Sequence, residues 1–589
     1  MNINERLAAL RKEMIQENID VYIVPSSDPH NSEYVTDQWK SREWISGFTG
    51  SAGIVMITQD HAGVWTDSRY FLQAEDELAD SEFVLHKVVN QFEPLHIKWI
   101  LENVSEGKVI GFDGCCLPIS QVDYLKNKCA TKNQTLNFKH DLFSRIWTDR
   151  PELPKDEIFQ HQLSFAGKSI EEKLSNIRSE MKNLDVEYHL VTTLDDIAWI
   201  FNIRGYDVEC NPVCIAFALI SESECTLFID NEKVNSELKN YFQQNNIKLK
   251  EYLEIKDVLV KLNPKHTLLL DPNQCNFSLA NLVKTKIQKA QTISRKLKAI
   301  KNDVEIGHFR TAMVKDGVAL ANTFYWLENE LENSGVTEFE LSEKLDEFRS
   351  KQEYFYGPSF PAIIGYKSNG AVIHYRPMPE TSKTIQNDGV LLCDSGGQYQ
   401  DGTTDITRTF CFSNPTEEFC KRYTAVLKGM IELTLAKFPK GTNGGQLDVL
   451  ARKYLWEQNV NYLHGTGHGV GFFLNVHEAP QGFAPGNNQR AQTHHQPGMV
   501  TSNEPGFYKD GEYGIRIENL ILTIDLDNGF YGHETITLYP IETKMILLDE
   551  MEPKHIEWLN SYHSKVEALL SPHLEEEQKN WLKVKCKSI

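Results

Sequence analysis

The chain has 589 residues, 41% of them hydrophobic and 24% charged, which is the composition of a soluble globular protein and too long for a single core, so roughly two to four domains are expected. Its 61 basic and 82 acidic side chains leave a formal charge of −21, which argues against a surface devoted to nucleic acid or anionic lipid. Eleven cysteines with no Cys-x-x-Cys spacing read as reduced thiols rather than a disulfide or zinc framework.

The first residues lack the basic head and apolar core of a secretory signal, and no run approaches the roughly 18 apolar residues of a membrane span. A cytoplasmic protein is expected. Apolar spacing predicts a helix over Arg6–Met14 and a strand at Val21–Val24. A second copy follows: Leu174, Ile177, Arg178 and Met181 repeat Leu7, Leu10, Arg11 and Met14, and the strand Tyr188–Val191 falls at the same offset. Trp199 to Gly205 then echoes Trp44 to Gly50. The pattern is that of a duplicated α/β unit.

The proline-rich stretch Trp147–Pro154 suits a linker, so the first domain is placed at residues 1–150. Strand-like runs at Cys214–Ile220 and Thr267–Leu270 lead to the lysine-rich stretch Ser294–Lys301, read as a solvated helix face, and a second boundary near 298 gives domains 151–298 and 299–589. The third segment opens with a helix over Asp303–Leu331 and a capping box at Thr337–Glu340, strands are expected to dominate from Phe360 to Leu548, and the tail from Lys554 reads as a helical extension. The fold class is α/β (α+β).

The chemistry begins at Asp394 and Asp405. Val390–Cys393 reads as a strand, Gly396–Gly402 as a turn and Ile406–Phe412 as the return strand of a hairpin. As cross-strand partners the two carboxylates would converge to about 5 Å at Cβ, and buried carboxylates that close repel unless a proton or cation lies between them. An isolated pair of this kind is ordinarily a solvated acidic turn. Three later glycine-rich segments change the balance by supplying His468, Glu504 and Glu518, with Glu504 and Glu518 centred on Gly511 so that a short hairpin brings them together. Four carboxylates and one histidine make a hard, oxygen-rich site able to bridge two divalent ions. Manganese fits the set best; zinc and cobalt are compatible with it. No His-Glu-x-x-His, P-loop or Gly-x-Ser-x-Gly is present.

These five residues, in order within Asp394–Thr409, His464–Gly471, Asn503–Tyr508 and Gly514–Asn519, resemble the signature of the pita-bread metallopeptidases, and among them the cytosolic three-domain Xaa-Pro aminopeptidases. Ser46–Gly53 and Trp65–Phe71 resemble the creatinase-like N-terminal domains of that family, so the resemblance covers nearly the whole chain. It implies two creatinase-like domains followed by a pita-bread catalytic domain. It further implies two metal ions, with Asp394 on one, His468 and Glu504 on the other, and Asp405 and Glu518 bridging. His374, His464 and His477 match the family's outer-shell histidines, whereas His494 and His495 are left to packing or solvent.

The activity so implied is hydrolysis of the bond between a first residue and a following proline. Glu504 accepts the water proton, His374 and His477 stabilise the tetrahedral intermediate or carry protons, and His464 positions substrate. Phe472 and Tyr375 are candidates for the wall against the proline ring, with core packing an equal reading. Asn503 departs from the aspartate that some similar enzymes carry before this glutamate and is expected to tune the outer shell. The resemblance also implies a homodimer. Two rivals share the ligand order or the fold: a prolidase that cleaves only Xaa-Pro dipeptides, and a metal-free binding protein.

Overall fold

The computed structural model describes residues 1–89, 94–332, 335–486 and 488–589. Contacts divide them into two compact units, Met1–His161 with Lys168–Arg295, and Gln162–Gly167 with Lys296–Ile589. The chain passes from one to the other close to the expected second boundary. The six residues 162–167, expected in the middle domain, instead pack within the second unit.

The first unit holds the duplication. The helices Ile3–Gln16 and Ile170–Asn183 each start at a reciprocal capping box, Asn2 with Glu5 and Ser169 with Glu172, and each buries the repeated positions: Leu7, Leu10 and Met14, then Leu174, Ile177 and Met181. Each helix feeds the centre of a six-stranded sheet. The first sheet runs in the order Val84–Val88, Ala62–Asp67, Ile54–Ile57, Val21–Pro25, Val109–Phe112, Thr135–Asn137. The second runs Ile247–Lys250, Cys225–Ile229, Ala216–Ser221, Tyr188–Val191, Thr267–Leu270, Lys286–Lys289. Parallel and antiparallel pairings match strand for strand, so the repeat seen in one helix and one strand extends over two whole layered units.

The second unit opens on the helix Asp303–Leu331, capped by Asn302, and contains two sheets that carry the acidic residues. One is three-stranded: Ile363–Tyr366, Val390–Ser395 and Ile406–Cys411. The other runs Phe438–Pro439, Phe530–Thr535, Asn519–Asp525, Val500–Asn503, Gly467–Gly469, Glu478–Phe483. Strands do not dominate throughout this region as expected. The helices Glu417–Leu435 and Gly444–Trp456 cover the sheet, and Phe419, Tyr423, Val426, Met430 and Leu433 recur at the helical interval and lie buried in the first of them.

The tail forms the helices Pro553–Leu570 and Glu576–Lys585, whose Leu559, Val566, Leu570 and Leu582 join the same core as Met430, Leu520 and Leu522. The lysine-rich stretch also departs from expectation. Lys298 and Lys301 are 2% and 3% exposed and both grip the buried Glu478, Lys298 at 2.9 Å. Their charges are matched inside the fold rather than hydrated.

Candidate functional site

The site grows from one ladder and its interruption. Val500–Asn503 pairs with Asn519–Leu522, and Gly506–Lys509 pairs with Tyr513–Arg516 around a turn in which Gly511 has φ +72°. The two segments share a single register that breaks only at Glu504-Pro505 opposite Ile517-Glu518. At the break the amides turn outward: Glu504 N–H donates to Thr466 O at 2.8 Å and Glu518 N–H to Thr407 O at 3.1 Å. Two glutamates are thereby delivered face to face at a seam between the two sheets.

The aspartates reach the same seam by a different route from the expected one. Asp394 lies opposite Thr407, not Asp405, and Gly397–Tyr399 with Gly402–Thr403 form a small additional hairpin inside the presumed turn. Asp405 is two residues before Thr407 and so shares its parity, a diagonal relation across the pair. Thr407 Oγ1 in turn donates to Glu518 Oε2 at 2.7 Å.

His468 completes the cluster. Its Nδ1 faces the Gly469 carbonyl at 2.9 Å, and because a carbonyl only accepts, this contact puts the proton on Nδ1 and the lone pair on Nε2. That Nε2 is 3.4 Å from both Asp405 Oδ2 and Glu504 Oε1. Ligand atoms of Asp405, His468 and Glu518 all lie within 4.8 Å of one another. The 3.4 Å separations match neighbouring ligands around one ion with bonds of about 2.1 Å.

The electrostatics call for cations. Burial raises the Glu504 carboxyl to about 7, opposed by Arg516 and reinforced by Asp394. Burial first, then Glu518, Asp394 and Glu504, push Asp405 well above the usual range, and burial with Glu504 and Asp394 does the same to Glu518. Arg516 is the basic partner within the cluster, donating to Asp394 Oδ2 at 2.6 Å, while the buried Asp394 Oδ1 has no hydrogen-bond partner among the described residues. Four carboxylates with one guanidinium and an orphaned oxygen form a donor set suited to two divalent ions.

Two of the three outer histidines, His477 and His464, have contacts that lead to this cluster. His477 stacks edge-on against His468, ring centroids 4.3 Å apart, and its charge bears on Glu504. His464 accepts at Nε2 from Tyr508 Oη, 2.9 Å away, with Nδ1–H donated to the Gly465 carbonyl. His374 follows Ile373, whose carbonyl receives Arg516 Nη2 at 3.5 Å. Arg516 and Tyr508 escaped the sequence reading although both stand inside quoted motifs: Tyr508 Oη accepts from Arg516 Nη1 at 2.7 Å, so one chain runs Asp394–Arg516–Tyr508–His464. Their alternation with Glu504 and Glu518 along the strands was the available signal.

Other expected neighbours divide. Phe472 is buried in the core against Phe309, centroids 5.3 Å apart, and packing is its role. Tyr375, anchored through its hydroxyl on Glu338 Oε2 at 2.9 Å, packs with Tyr508 on a small apolar cluster of Phe360, Ile363, Leu392 and Val476. Asn503 faces away from the carboxylates, its Nδ2 donating to Met430 O at 2.8 Å and Thr434 Oγ1 at 3.0 Å; alternation along the strand puts it on the other side from Glu504. His495 stacks on Phe483 at 4.6 Å, in the packing role expected of it.

Comparison with known proteins adds to this geometry. The profile described as "Metallopeptidase family M24" matches residues 307–525, and "C-terminal region of peptidase_M24" matches 529–589. "Creatinase/Prolidase N-terminal domain" profiles match 6–142 and 149–305. A protein of Paracoccidioides brasiliensis named "Probable Xaa-Pro aminopeptidase P" is 39% identical over 613 residues, spanning 99% of this chain and 98% of that protein. The crystal structure of an X-prolyl aminopeptidase from Caenorhabditis elegans, described as a cytosolic enzyme with a di-nuclear active site, superposes with a TM-score of 0.95 at 32% identity over 100% of both chains. An Xaa-Pro dipeptidase from Bacillus anthracis matches with a TM-score of 0.52 at 25% identity, covering 64% of this chain and 99% of its own.

Proposed function

Because the chain belongs to metallopeptidase family M24, we propose that it is a metallo-aminopeptidase of the Xaa-Pro class, releasing the first residue of peptides whose second residue is proline. The observation that carries this reading is the cluster of the buried Asp394, Asp405, His468 and Glu518 with the half-buried Glu504, in a chain matched from end to end by aminopeptidases of that class. The dipeptidase alternative is disfavoured because the dipeptidase accounts for 64% of the chain. Hydrolysis of Arg-Pro-Pro beside an Xaa-Pro dipeptide tests the choice: cleavage restricted to the dipeptide refutes it.

The donor set suits two divalent ions, with Asp394 assigned to one, His468 and Glu504 to the other, and Asp405 and Glu518 to both. Manganese is the proposed native metal on the hardness of four carboxylates, and elemental analysis of the purified protein checks it. When bound, such a pair supplies Lewis-acid polarisation and acidifies water toward neutral pH. The chain's own groups do the rest. Glu504, backed by Ser502 Oγ at 3.1 Å, accepts a proton. His477, beside His468, and His374, beside the Arg516 contact, donate to the oxygen that gains charge. His464, fixed by Tyr508, positions the peptide. Tyr375 and Tyr508 over Phe360 and Ile363 form the proposed apolar wall for the proline ring.

A homodimer is proposed as well, supported by Val449 and Trp456, seven residues apart on one face of the Gly444–Trp456 helix and both exposed, with Leu463 exposed nearby in sequence. Sedimentation at micromolar concentration tests it, a single monomeric species counting against it. A cytoplasmic location is proposed on the likeness to a structure described as cytosolic, and among the described residues no helix is long and apolar enough to cross a membrane. Cell fractionation tests that placement.

A further inference from the structure

Arg408 is 3% exposed, and among the described residues none of its hydrogen-bond partners is a carboxylate. Its charge is met by dipoles instead. Nη1 donates to the carbonyls of Thr407 at 2.9 Å and Glu518 at 2.6 Å. Nε donates to Pro540 O at 2.9 Å. Nη2 donates to Asn519 Oδ1 at 2.9 Å, Tyr539 O at 2.7 Å and Tyr562 Oη at 2.9 Å. Half of these acceptors belong to residues 539–562, beyond Glu518, the last member of the cluster.

Glu518 is therefore fixed at three points, all by neighbours on one strand. Its amide donates to Thr407 O, its Oε2 accepts from Thr407 Oγ1, and its carbonyl is gripped by Arg408. Arg408 is in turn held from behind by the C-terminal helix Pro553–Leu570, where Tyr562 Oη accepts from the guanidinium while donating its own proton to Tyr539 O at 2.8 Å. A guanidinium with no counter-ion keeps its orientation only while its acceptors stay in place.

We propose that the C-terminal segment is a working part of the metal cage: Arg408 is the positioning residue for Glu518, and Tyr562 is the residue that aims Arg408. The inference rests on Glu518 being a metal ligand. Supporting groups behind a ligand typically govern metal affinity by about 10- to 100-fold. Deleting the Tyr562 hydroxyl releases one acceptor of Nη2 and loosens the grip on the Glu518 carbonyl without removing any ligand.

The test uses the full-length protein, stripped of metal and titrated with Mn²⁺ by calorimetry, alongside tripeptide kinetics and thermal unfolding. Tyr562→Phe is expected to weaken Mn²⁺ binding about 10-fold or more and to lower kcat with little change in KM. Trp581→Phe is the control, since it removes the Trp581 Nε1 bond to Glu328 Oε2 at 2.7 Å in the same C-terminal region without touching Arg408. It is expected to lower thermal stability while leaving Mn²⁺ affinity unchanged. Wild-type affinity in Tyr562→Phe, or an equal loss in Trp581→Phe, overturns the proposal. Should Tyr562→Phe not fold, Arg408→Lys, which keeps the charge and loses the fork, carries the same expectation. Wild-type affinity in Glu518→Gln refutes instead the assignment of Glu518 as a ligand, so the two failures are separable.

Discussion

Gly467→Ala is the most direct way to ask whether the site depends on close backbone approach. Gly467 precedes His468 on a strand that runs beside Val500–Asn503, and a Cβ built there lies 1.9 Å from Ser502 O. Ordinary contact begins at 3.4 Å, so the two strands must part by about 1.5 Å or the carbonyl must rotate away. Either movement breaks the 2.9 Å bond from His468 N–H to Ser502 Oγ and shifts His468 relative to Glu504. Overpacking costs about 1–3 kcal/mol, the lost hydrogen bond about 1 kcal/mol, so the loss of stability is about 2–4 kcal/mol. A misplacement near 1 Å costs about 100-fold in rate. Gly465→Ala provides the contrast: its Cβ lies 3.3 Å from Phe483 O and meets nothing closer, so near-normal stability and turnover are expected. Urea denaturation and tripeptide hydrolysis of both variants decide it. Full metal content and turnover in Gly467→Ala, or equal damage in Gly465→Ala, would refute the reasoning.

Glu504→Ala and His468→Ala are each expected to abolish metal-dependent cleavage while the far-ultraviolet circular dichroism stays native; survival of both metal content and turnover in Glu504→Ala would remove it from the cage. The metal-free protein is expected to lose stability as pH rises through the interval from 4.5 to about 7, because Glu504 holds its proton more tightly folded than unfolded there; added Mn²⁺ should reverse the trend, and denaturation midpoints at pH 5 and 7.5 report it. Acid acts oppositely on the buried imidazole of His495, which burial lowers to about 3 from an ordinary 6.5. The unfolded chain binds that proton first, so stability present above pH 6.5 drains away as pH falls toward 3, by an amount of about 5 kcal/mol at most. His495→Phe, stacking on Phe483 in its place, should flatten the acid limb of the urea midpoint against pH, and an unchanged limb would count against this account.

Much of the site was legible because its chemistry is concentrated in short glycine-rich runs. The hairpin around Gly511 followed from the placement of Glu504 and Glu518, and the ladder pairing Gly506 with Arg516 forms it. The pairing of Asp394 with Asp405 did not follow, because two short strands nested inside the turn shift the register to Thr407, and nothing local announces them. Arg516, Tyr508 and Thr407 went unremarked since each acts on a partner outside its own motif; Arg516 and Asp394 are 122 residues apart. Lys298 and Lys301 looked solvated for the same reason, their counter-ion Glu478 being remote in sequence. The duplication was visible only in its first helix, first strand and one tryptophan turn. The remaining strands repeat in order and direction without repeating in residues, since a sheet needs a pattern rather than particular side chains.

The seam where the ladder breaks also bears on how the protein comes to be folded. Thr407 and Glu518 are 111 residues apart, and Arg408 and Tyr562 are 154 apart, so each contact closes a long loop before it returns any energy. Hairpins such as Gly506–Arg516 have no such barrier and can form early and alone. The acidic cluster is thus expected to be among the last regions to consolidate, when most of the apolar core is already in place. That order protects the chain: four mutually repelling carboxylates are brought together only after enough structure exists to hold them.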